Sequence, residues 1–223
     1  MKLLKTTSLA ITALALTACS GTTSVSFDLE LNLNSPDYEE DILDAAELVV
    51  ERQIAAFETY EELEETTESI ERDGTTIKVT ANEELLIEDL TRRLTRPFSF
   101  EFMEIVPLEE AEIVVAETEG YAPIGLTGDH VEWLTAEGEI KTPGSVKIQF
   151  TAEGTELKNR LFSENIGEHI GLFVRGMPVY KLLVEDDDIE GNTLILNIPD
   201  AELGYIFADD VNVGLQVAFT PSK

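Results

Sequence analysis

The stretch that decides the fold runs from Phe150 to Val179 and reads FTAEGTELKNRLFSENIGEHIGLFVRGMPV. It begins at the end of an alternating strand, and Thr151 is a residue type that caps the helix predicted to follow. Leu157 and Leu161 are expected to point inward from this helix. Gly167 marks its end, because glycine readily adopts the left-handed backbone that closes helices. The stretch therefore opens with a strand and a helix.

Its second part predicts a β-hairpin. The apolar runs 170–174 and 179–184 flank Arg175-Gly176, which supplies the turn. A strand, a helix and a strand are predicted beyond it, at 194–198, 201–207 and 215–219. Upstream, prolines and glycines between residues 123 and 144 predict a loop-rich segment. Residues 108–223 are thus expected to form a smaller α+β head subdomain.

The first half of the chain predicts six elements in the order β-α-β-β-α-β. Alternation from Phe27 indicates a strand, a helical period begins near Ile42, and Asp73-Gly74 is a hairpin turn signal. A second helix stops at Pro97, and the run 98–105 is another strand. This order is typical of a ferredoxin-like fold, in which two helices cover one face of a four-stranded antiparallel sheet. We therefore expect an α+β chain whose residues 27–107 form the base.

The stretch from 150 to 179 resembles the first periplasmic (P1) region of SecD, a membrane component of protein export, and of SecD-SecF fusions. The Glu-Gly and Ile-Gly pairs keep that family's thirteen-residue spacing. The matching positions are Glu153, Gly154, Glu164, Asn165, Gly167, Gly176 and Val179. Upstream, Ile124–Gly128 is similar to the family's T-G-L-T-G element. The resemblance covers roughly residues 28–219 and implies a base-plus-head fold.

The matched positions have two interpretations. The resemblance places them on a possible head surface for polypeptide contact. The structural interpretation is favoured: Glu153-Gly154 is explained as a helix start, where a carboxylate favours the helix dipole. Asn165 and Gly167 are plain punctuation at a helix end. The sequence also departs from the family: Arg175 replaces the usual Asp, and Lys181-Leu182-Leu183 replaces an S-A-P element.

The N-terminus predicts an exported lipoprotein. Lys2 and Lys5 precede an apolar run too short to span a bilayer, and Leu16-Thr17-Ala18-Cys19 matches the bacterial lipobox. We expect residues 1–18 to be a signal peptide and Cys19 to carry acyl chains such as palmitate. Residues 19–26 would be a flexible tether. The chain has only this cysteine, so no disulfide or thiol nucleophile is expected. No other run is long enough to span a membrane.

Charge excludes one class of partner. The chain has 45 acidic and 15 basic residues, a net charge of −30. Nucleic-acid binding needs basic surface, and docking on anionic lipid through charge is equally disfavoured. The acidity is explained by a solvated, self-repelling surface, or by attraction to cationic segments of clients or to divalent ions.

The sequence contains few signals of a catalytic site. His130 and His169 are far apart in sequence, and G-x-S-x-G, H-E-x-x-H and P-loop motifs are lacking. Glu185–Asp188 offers oxygen ligands for calcium, but the alternating pattern of an EF-hand is missing, so a solvated acidic loop is the simpler interpretation. We expect no enzyme activity, catalytic residue, metal or cofactor.

Two functional hypotheses remain. The first is a lipid-anchored accessory at the outer face of the cytoplasmic membrane, or at the outer membrane facing the periplasm. It would bind translocating or unfolded polypeptide, or dock on Sec translocon subunits. The alternative is an envelope structural or interaction lipoprotein that reuses the fold with an unrelated partner.

Overall fold

The protein is described by a computed structural model that covers residues 21–33, 35–63, 66–186 and 190–222. Cys19 and the predicted signal peptide lie outside these ranges. Within them the chain is α+β, as predicted. The helices are α1 (Glu39–Tyr60), α2 (Glu84–Leu94), α3 (Ala152–Glu164) and α4 (Ala201–Gln216). The strands are β1 (Thr23–Leu31), β2 (Thr67–Asp73), β3 (Thr76–Ala81), β4 (Phe100–Val106), β5 (Ile113–Val115), β6 (Glu119–Thr127), β7 (Val131–Glu137), β8 (Gly144–Phe150), β9 (His169–Val174), β10 (Met177–Leu183), β11 (Thr193–Ile198) and β12 (Val217–Ser222).

The first sheet is antiparallel and has the order β12-β1-β3-β2. Its buried side chains form one core with the apolar faces of α1 and α2. The predicted hairpin at Asp73-Gly74 is confirmed, since Asp73 lies opposite Thr76 and Gly74 has a φ of 58°. The two helices and the sheet therefore make the base that the sequence predicted.

One strand of this base differs from the prediction. The sequence placed β4 in the sheet, but β12 occupies that position beside β1. β4 buries Phe100 and Phe102 on one face and Met103 on the other, so it suits the centre of a sheet covered on both sides. β12 buries only Phe219 and carries Pro221, which edge strands tolerate.

The structure bears on both limits of the predicted base, residues 27 and 107. β1 begins at Thr23, so residues 23–26 belong to the sheet and not to the predicted tether. The division into residues 27–107 and 108–223 stays a prediction about folding units. The strand pairing crosses that division, because β12 closes the first sheet and β4 lies in another.

The second sheet has five antiparallel strands in the order β10-β9-β4-β6-β5, and the third has the order β11-β8-β7. Aromatic and aliphatic side chains of both sheets, α3 and α4 share a second core. The segment predicted to be loop-rich contains β6 and β7. Pro123 and Gly125 fall where the pairing of β4 with β6 shifts register, and Gly125 has a φ of 81°. They mark a bulge within a strand, not its end.

α4 joins the two cores and runs nine residues further than predicted, to Gln216. The Asn212 side chain accepts a 2.8 Å hydrogen bond from the Leu134 N–H and donates a 2.9 Å bond to the Leu134 carbonyl, satisfying the outer edge of β7. Val213 contributes to the first core and Val211 to the second. Arg52 of α1 forms ion pairs with Asp209 (3.2 Å) and Asp210 (2.8 Å).

Candidate functional site

The β9–β10 hairpin is the part of the motif stretch that presents side chains to solvent. Val174 lies opposite Met177, so the loop has two residues, Arg175 and Gly176. Their φ angles are 52° and 78°, as a type I′ turn requires. The Arg175 N–H donates a 2.9 Å hydrogen bond to the Ser99 carbonyl, which ties the turn to the segment before β4. The predicted hairpin is confirmed.

β10 is an edge strand with apolar side chains in water. It lies at the end of the five-stranded sheet, and its outer side pairs with no strand in the described ranges. Met177, Val179 and Leu183 are 63%, 45% and 43% exposed. The register shifts between Pro178 and Tyr180, which leaves Val179 at a bulge. We call this strand, with its three exposed apolar side chains, the β10 edge.

The face of the five-stranded sheet that turns away from the second core carries a separate apolar cluster. Met103, Tyr121 and Phe173 are buried there, and the Tyr121 and Phe173 ring centroids lie 5.0 Å apart in an edge-to-face arrangement. The side chains packed around them, Ile113 and Val115, also come from strands of this sheet. The cluster is therefore built by a single layer. We call it the outer face.

A short polar network borders the outer face. The Glu119 carboxylate accepts hydrogen bonds from Lys181 Nζ (2.6 Å) and from the Tyr121 hydroxyl (2.7 Å). The bonds from Lys181 and Tyr121 lower the pKa of Glu119. Burial, together with the bond to the Glu119 carboxylate, raises the pKa of Tyr121 to about 12. At neutral pH the phenol is thus a stable donor, and the network fixes the ring over Gly171.

The start of α3 is structural. Thr151 caps the helix by accepting a 3.0 Å bond from the Gly154 N–H, as predicted. A Cβ on Gly154 would lie 2.2 Å from the His130 carbonyl oxygen, so only glycine fits this contact. Glu153 is exposed in the first turn, where the helix dipole favours a carboxylate.

The end of α3 is also structural. Glu164 is its last residue, and the Asn165 amide donates a 2.8 Å hydrogen bond to the Leu161 carbonyl. Gly167 has a φ of 81°, and its N–H donates a 3.0 Å bond to the Val184 carbonyl beyond β10. This end of the helix therefore positions β10, while the Glu153-Gly154 end lies about 20 Å away along thirteen residues of helix.

Beside the hairpin turn lies a groove of about 730 Å³. The end of β1, the start of β12, the residues after α2 and the hairpin tip surround it. Its lining combines charged and apolar side chains, among them Arg96, Phe98, Arg175, Met177, Asp210 and Leu215. We call it the junction groove. Met177 belongs to both the groove and the β10 edge, so the two surfaces are continuous.

The described ranges contain no group of three His, Cys, Asp or Glu side chains that could hold a metal ion. Asp187 and Asp188 of the acidic loop lie outside those ranges. His130 accepts a 3.1 Å bond from the Thr127 N–H at Nδ1, a local turn contact. His169 is exposed at the start of β9.

Comparison with solved structures gives SecDF proteins. A crystal structure of SecDF, a translocon-associated membrane protein from Thermus thermophilus, matches with a TM-score of 0.52 and 19% identity, over 90% of this chain and 30% of that chain. A structure described as a membrane component SecDF that enhances protein export matches with a TM-score of 0.46 and 17% identity, over 90% of this chain and 98% of that chain. SecDF in a super-membrane-facing form matches with a TM-score of 0.46 and 17% identity, over 91% and 30%.

This chain has a SecDF-like fold. At such identities the likeness concerns the fold alone, and the chain spans 30% of the length of two of the three SecDF chains. No protein-family model and no curated protein matches the sequence. In this SecDF-like chain no described helix is long and apolar enough to cross a membrane.

The two departures from the SecD pattern have local uses in the SecDF-like fold. Arg175 places its guanidinium 5.4 Å from the Phe98 ring centroid at the groove, and Lys181 makes the ion pair with Glu119. Gly176 and Val179 share the hairpin, whereas Gly154 packs against His130 at the start of α3. The motif positions therefore do not form one site.

Sequence reasoning missed part of the site. Leu157 and Leu161 are half-buried, while Gly154, Lys158 and Phe162 are fully buried at a spacing of four. Lys158 is a charged residue type that sequence reasoning assigns to the surface, yet its Nζ lies 5.8 Å from the Phe162 ring centroid inside the second core. The outer face was missed because its residues lie on four strands whose pairing the sequence does not give. For the buried face of α3, the spacing of four between Gly154, Lys158 and Phe162 was the available sequence signal.

Proposed function

We propose that this chain is a membrane-tethered, non-enzymatic accessory of protein export that binds translocating or unfolded polypeptide through the β10 edge. The single observation that carries the proposal is an exposed edge strand with apolar side chains, at motif positions of a SecDF-like fold. The SecDF structures are described as a translocon-associated membrane protein and as a component that enhances protein export. The same setting is proposed for this chain.

The β10 edge has the physical properties that binding an extended chain needs. An unpaired edge offers backbone donors and acceptors to any sequence, so it binds without strict specificity. Met177, Val179 and Leu183 add apolar contact, and a thioether adapts to many shapes. The bulge at Val179 and the nearby Lys181 charge oppose edge-to-edge aggregation between copies.

The proposed tether is Cys19 with its acyl chains. β1 begins at Thr23, so at most three residues separate the lipidated cysteine from the sheet. Three or four extended residues reach about 11–14 Å, so this end of the first sheet would be held close to the membrane surface. Replacing Cys19 with alanine should move the protein from the membrane fraction to the soluble fraction.

The alternative is an envelope lipoprotein that uses the same surface for one dedicated partner. Arg175 and Lys181-Leu182-Leu183 favour it, because they change the chemistry of the hairpin relative to the SecD pattern. A dedicated partner would be recovered repeatedly at one position, whereas clients in transit would be many.

The test places a photo-crosslinking amino acid at Val179 in the full lipidated protein in its host, with adducts identified by mass spectrometry. Leu85, 65% exposed on α2, is the matched control position. Many secretory chains or translocon subunits at Val179, absent at Leu85, support the export role. One recurring envelope protein at Val179 supports the alternative. Equal yields at both positions contradict both.

A further inference from the structure

The junction groove gathers arginines in a chain that has few. Basic residues number 15 against 45 acidic ones, yet Arg96 and Arg175 both line this groove. Arg93 is close enough that its charge, with that of Arg96, acts on Arg175. Two acids face the same space: Glu30 at the end of β1, and Asp210, which is paired with Arg52 at 2.8 Å.

Neither Arg96 nor Arg175 has an ion-pair partner among the described residues. Arg175 is half-buried, and this burial lowers the pKa of its guanidinium. Its side chain lies over the Phe98 ring, which holds the planar group, and its N–H donors make no hydrogen bond to another described residue. The Asp210 carboxylate favours the charge of Arg175 and offsets part of the cost of burial, whereas the charges of Arg96 and Arg93 add to it.

The backbone at Arg175 adds a second cost. Its φ of 52° is the left-handed conformation that type I′ turns reserve for Asn, Asp or Gly. A bulky residue there is disfavoured, so the arginine is not explained by turn formation. The Phe98 ring and the charge of Asp210 hold its guanidinium at the groove, where it can meet a ligand.

We propose that the junction groove binds a carboxylate of an extended polypeptide segment, with Arg175 and Arg96 as donors and Phe98, Met177 and Leu215 contacting the neighbouring side chains. The inference rests on the proposed function and adds a chemical preference to it. A guanidinium presents paired N–H donors that match both oxygens of a carboxylate. Since Met177 is shared with the β10 edge, one chain can occupy both surfaces.

The position of the groove favours polypeptide over lipid headgroups. The groove lies at the Leu31 end of β1, and the proposed tether enters at the Thr23 end. Eight rises of about 3.3 Å separate these ends by roughly 26 Å. The arginines are thus at the end of the sheet opposite the anchor.

The experiment measures anisotropy of two labelled unstructured peptides on the mature lipidated protein in nanodiscs of zwitterionic lipid. The peptides share one apolar sequence and differ only at a central residue, which is Glu in one and Gln in the other. We expect the Glu peptide to bind at least about tenfold more tightly, and this preference to fall as salt rises.

Variants assign the preference to the groove. Arg96→Gln combined with Arg175→Asn should remove it, and asparagine is chosen because it suits the left-handed turn. Arg160→Gln removes an exposed arginine from α3 and should leave the preference unchanged. Equal binding of the two peptides to the parent protein would overturn the carboxylate inference while leaving polypeptide binding intact. Failure of both peptides to bind would overturn the proposed function as well.

A second experiment tests whether the anion bound by the groove is a lipid phosphate. Vesicles of pure phosphatidylcholine and vesicles containing phosphatidylglycerol are compared by flotation with a Cys19→Ala protein. Equal flotation with both supports the polypeptide carboxylate. Flotation with phosphatidylglycerol that the arginine variants abolish, while the preference for the Glu peptide persists, would assign the groove to a lipid phosphate and overturn the inference.

Discussion

The four-stranded and five-stranded sheets each turn one face away from the main cores, and those faces differ. On the first sheet this face carries Ser24, Asp28 and Lys78, which are exposed and polar. On the second it carries Met103, Tyr121 and Phe173, and the exposed Leu183 lies on the adjoining β10 edge. A polar face needs no partner, whereas exposed apolar side chains on an open edge, as on the β10 edge, are typical of a binding surface. Under the proposed function, the first sheet is the supporting sheet and the second is the recognising sheet.

The largest expected effect concerns the supporting sheet. A fragment of residues 21–107 lacks β12, which pairs with β1 and buries Phe219 against Phe27 at a centroid distance of 6.1 Å. We expect it to show no cooperative urea transition by circular dichroism. A fragment of residues 21–96 joined by a short Gly-Ser linker to 217–222 should show one, because Arg96 and Val217 both line the junction groove. Cooperative folding of the first fragment would restore the domain limit predicted at residue 107.

Core truncations should distinguish the two faces of the recognising sheet. Phe102 contacts Phe150 and Phe162 in the second core, so Phe102→Ala should lower the free energy of unfolding by about 3–5 kcal/mol. Phe173→Ala on the outer face should cost about 2 kcal/mol, because a single-layer cluster collapses more easily around the space left. Urea denaturation measures both. Equal losses would mean that the outer face is packed as tightly as the core.

A matched pair of charge insertions tests which sheet recognises polypeptide. Val179→Asp with Leu183→Asp should weaken binding of an unfolded apolar peptide by about tenfold, which is about 1.4 kcal/mol. Ser26→Asp with Thr80→Asp adds the same charge to the polar face of the first sheet and should change binding little. Peptide anisotropy gives the ratio. If both pairs weaken peptide binding to a similar extent, the loss of binding is caused by the added net charge and not by the β10 edge.

The smallest expected effect is a titration on the outer face. The pKa of Tyr121 is raised to about 12 from an ordinary value of 10, so its contribution to stability is complete below pH 10 and is lost as pH rises toward 12. Ultraviolet titration of tyrosinate should show one late-titrating phenol. That phenol should disappear in Tyr121→Phe.

The local elements were largely accessible from sequence, because their signals are local. The turn at Arg175-Gly176, the cap at Thr151 and the Asp73-Gly74 hairpin depend on neighbouring residues. α4 was predicted too short, and its last part contains Gly214, a residue type that weakens helices. That glycine permits close packing, since a Cβ there would lie 2.3 Å from the Phe98 ring. Gly214 is therefore required by a contact with a residue distant in sequence, which a local helix pattern does not reveal.

Only part of the candidate site could be predicted from the sequence, for a related reason. Gly176 and Val179 were identified through the SecD resemblance, and their hairpin is present. The junction groove was not, because Arg96 and Asp210 line one groove only when β12 returns to the first sheet. Strand partners so distant in sequence are set by packing of the whole chain, which no local pattern records.

The central position of β1 gives the molecule a mechanical property. β1 is bonded on one side to β3 and on the other to β12, both antiparallel. A pulling force that enters at Thr23 and acts along the strand loads both ladders in shear, so many bonds share it at once. Tension between a tethered end and a chain held at the hairpin would therefore be borne by the first sheet without unzipping it.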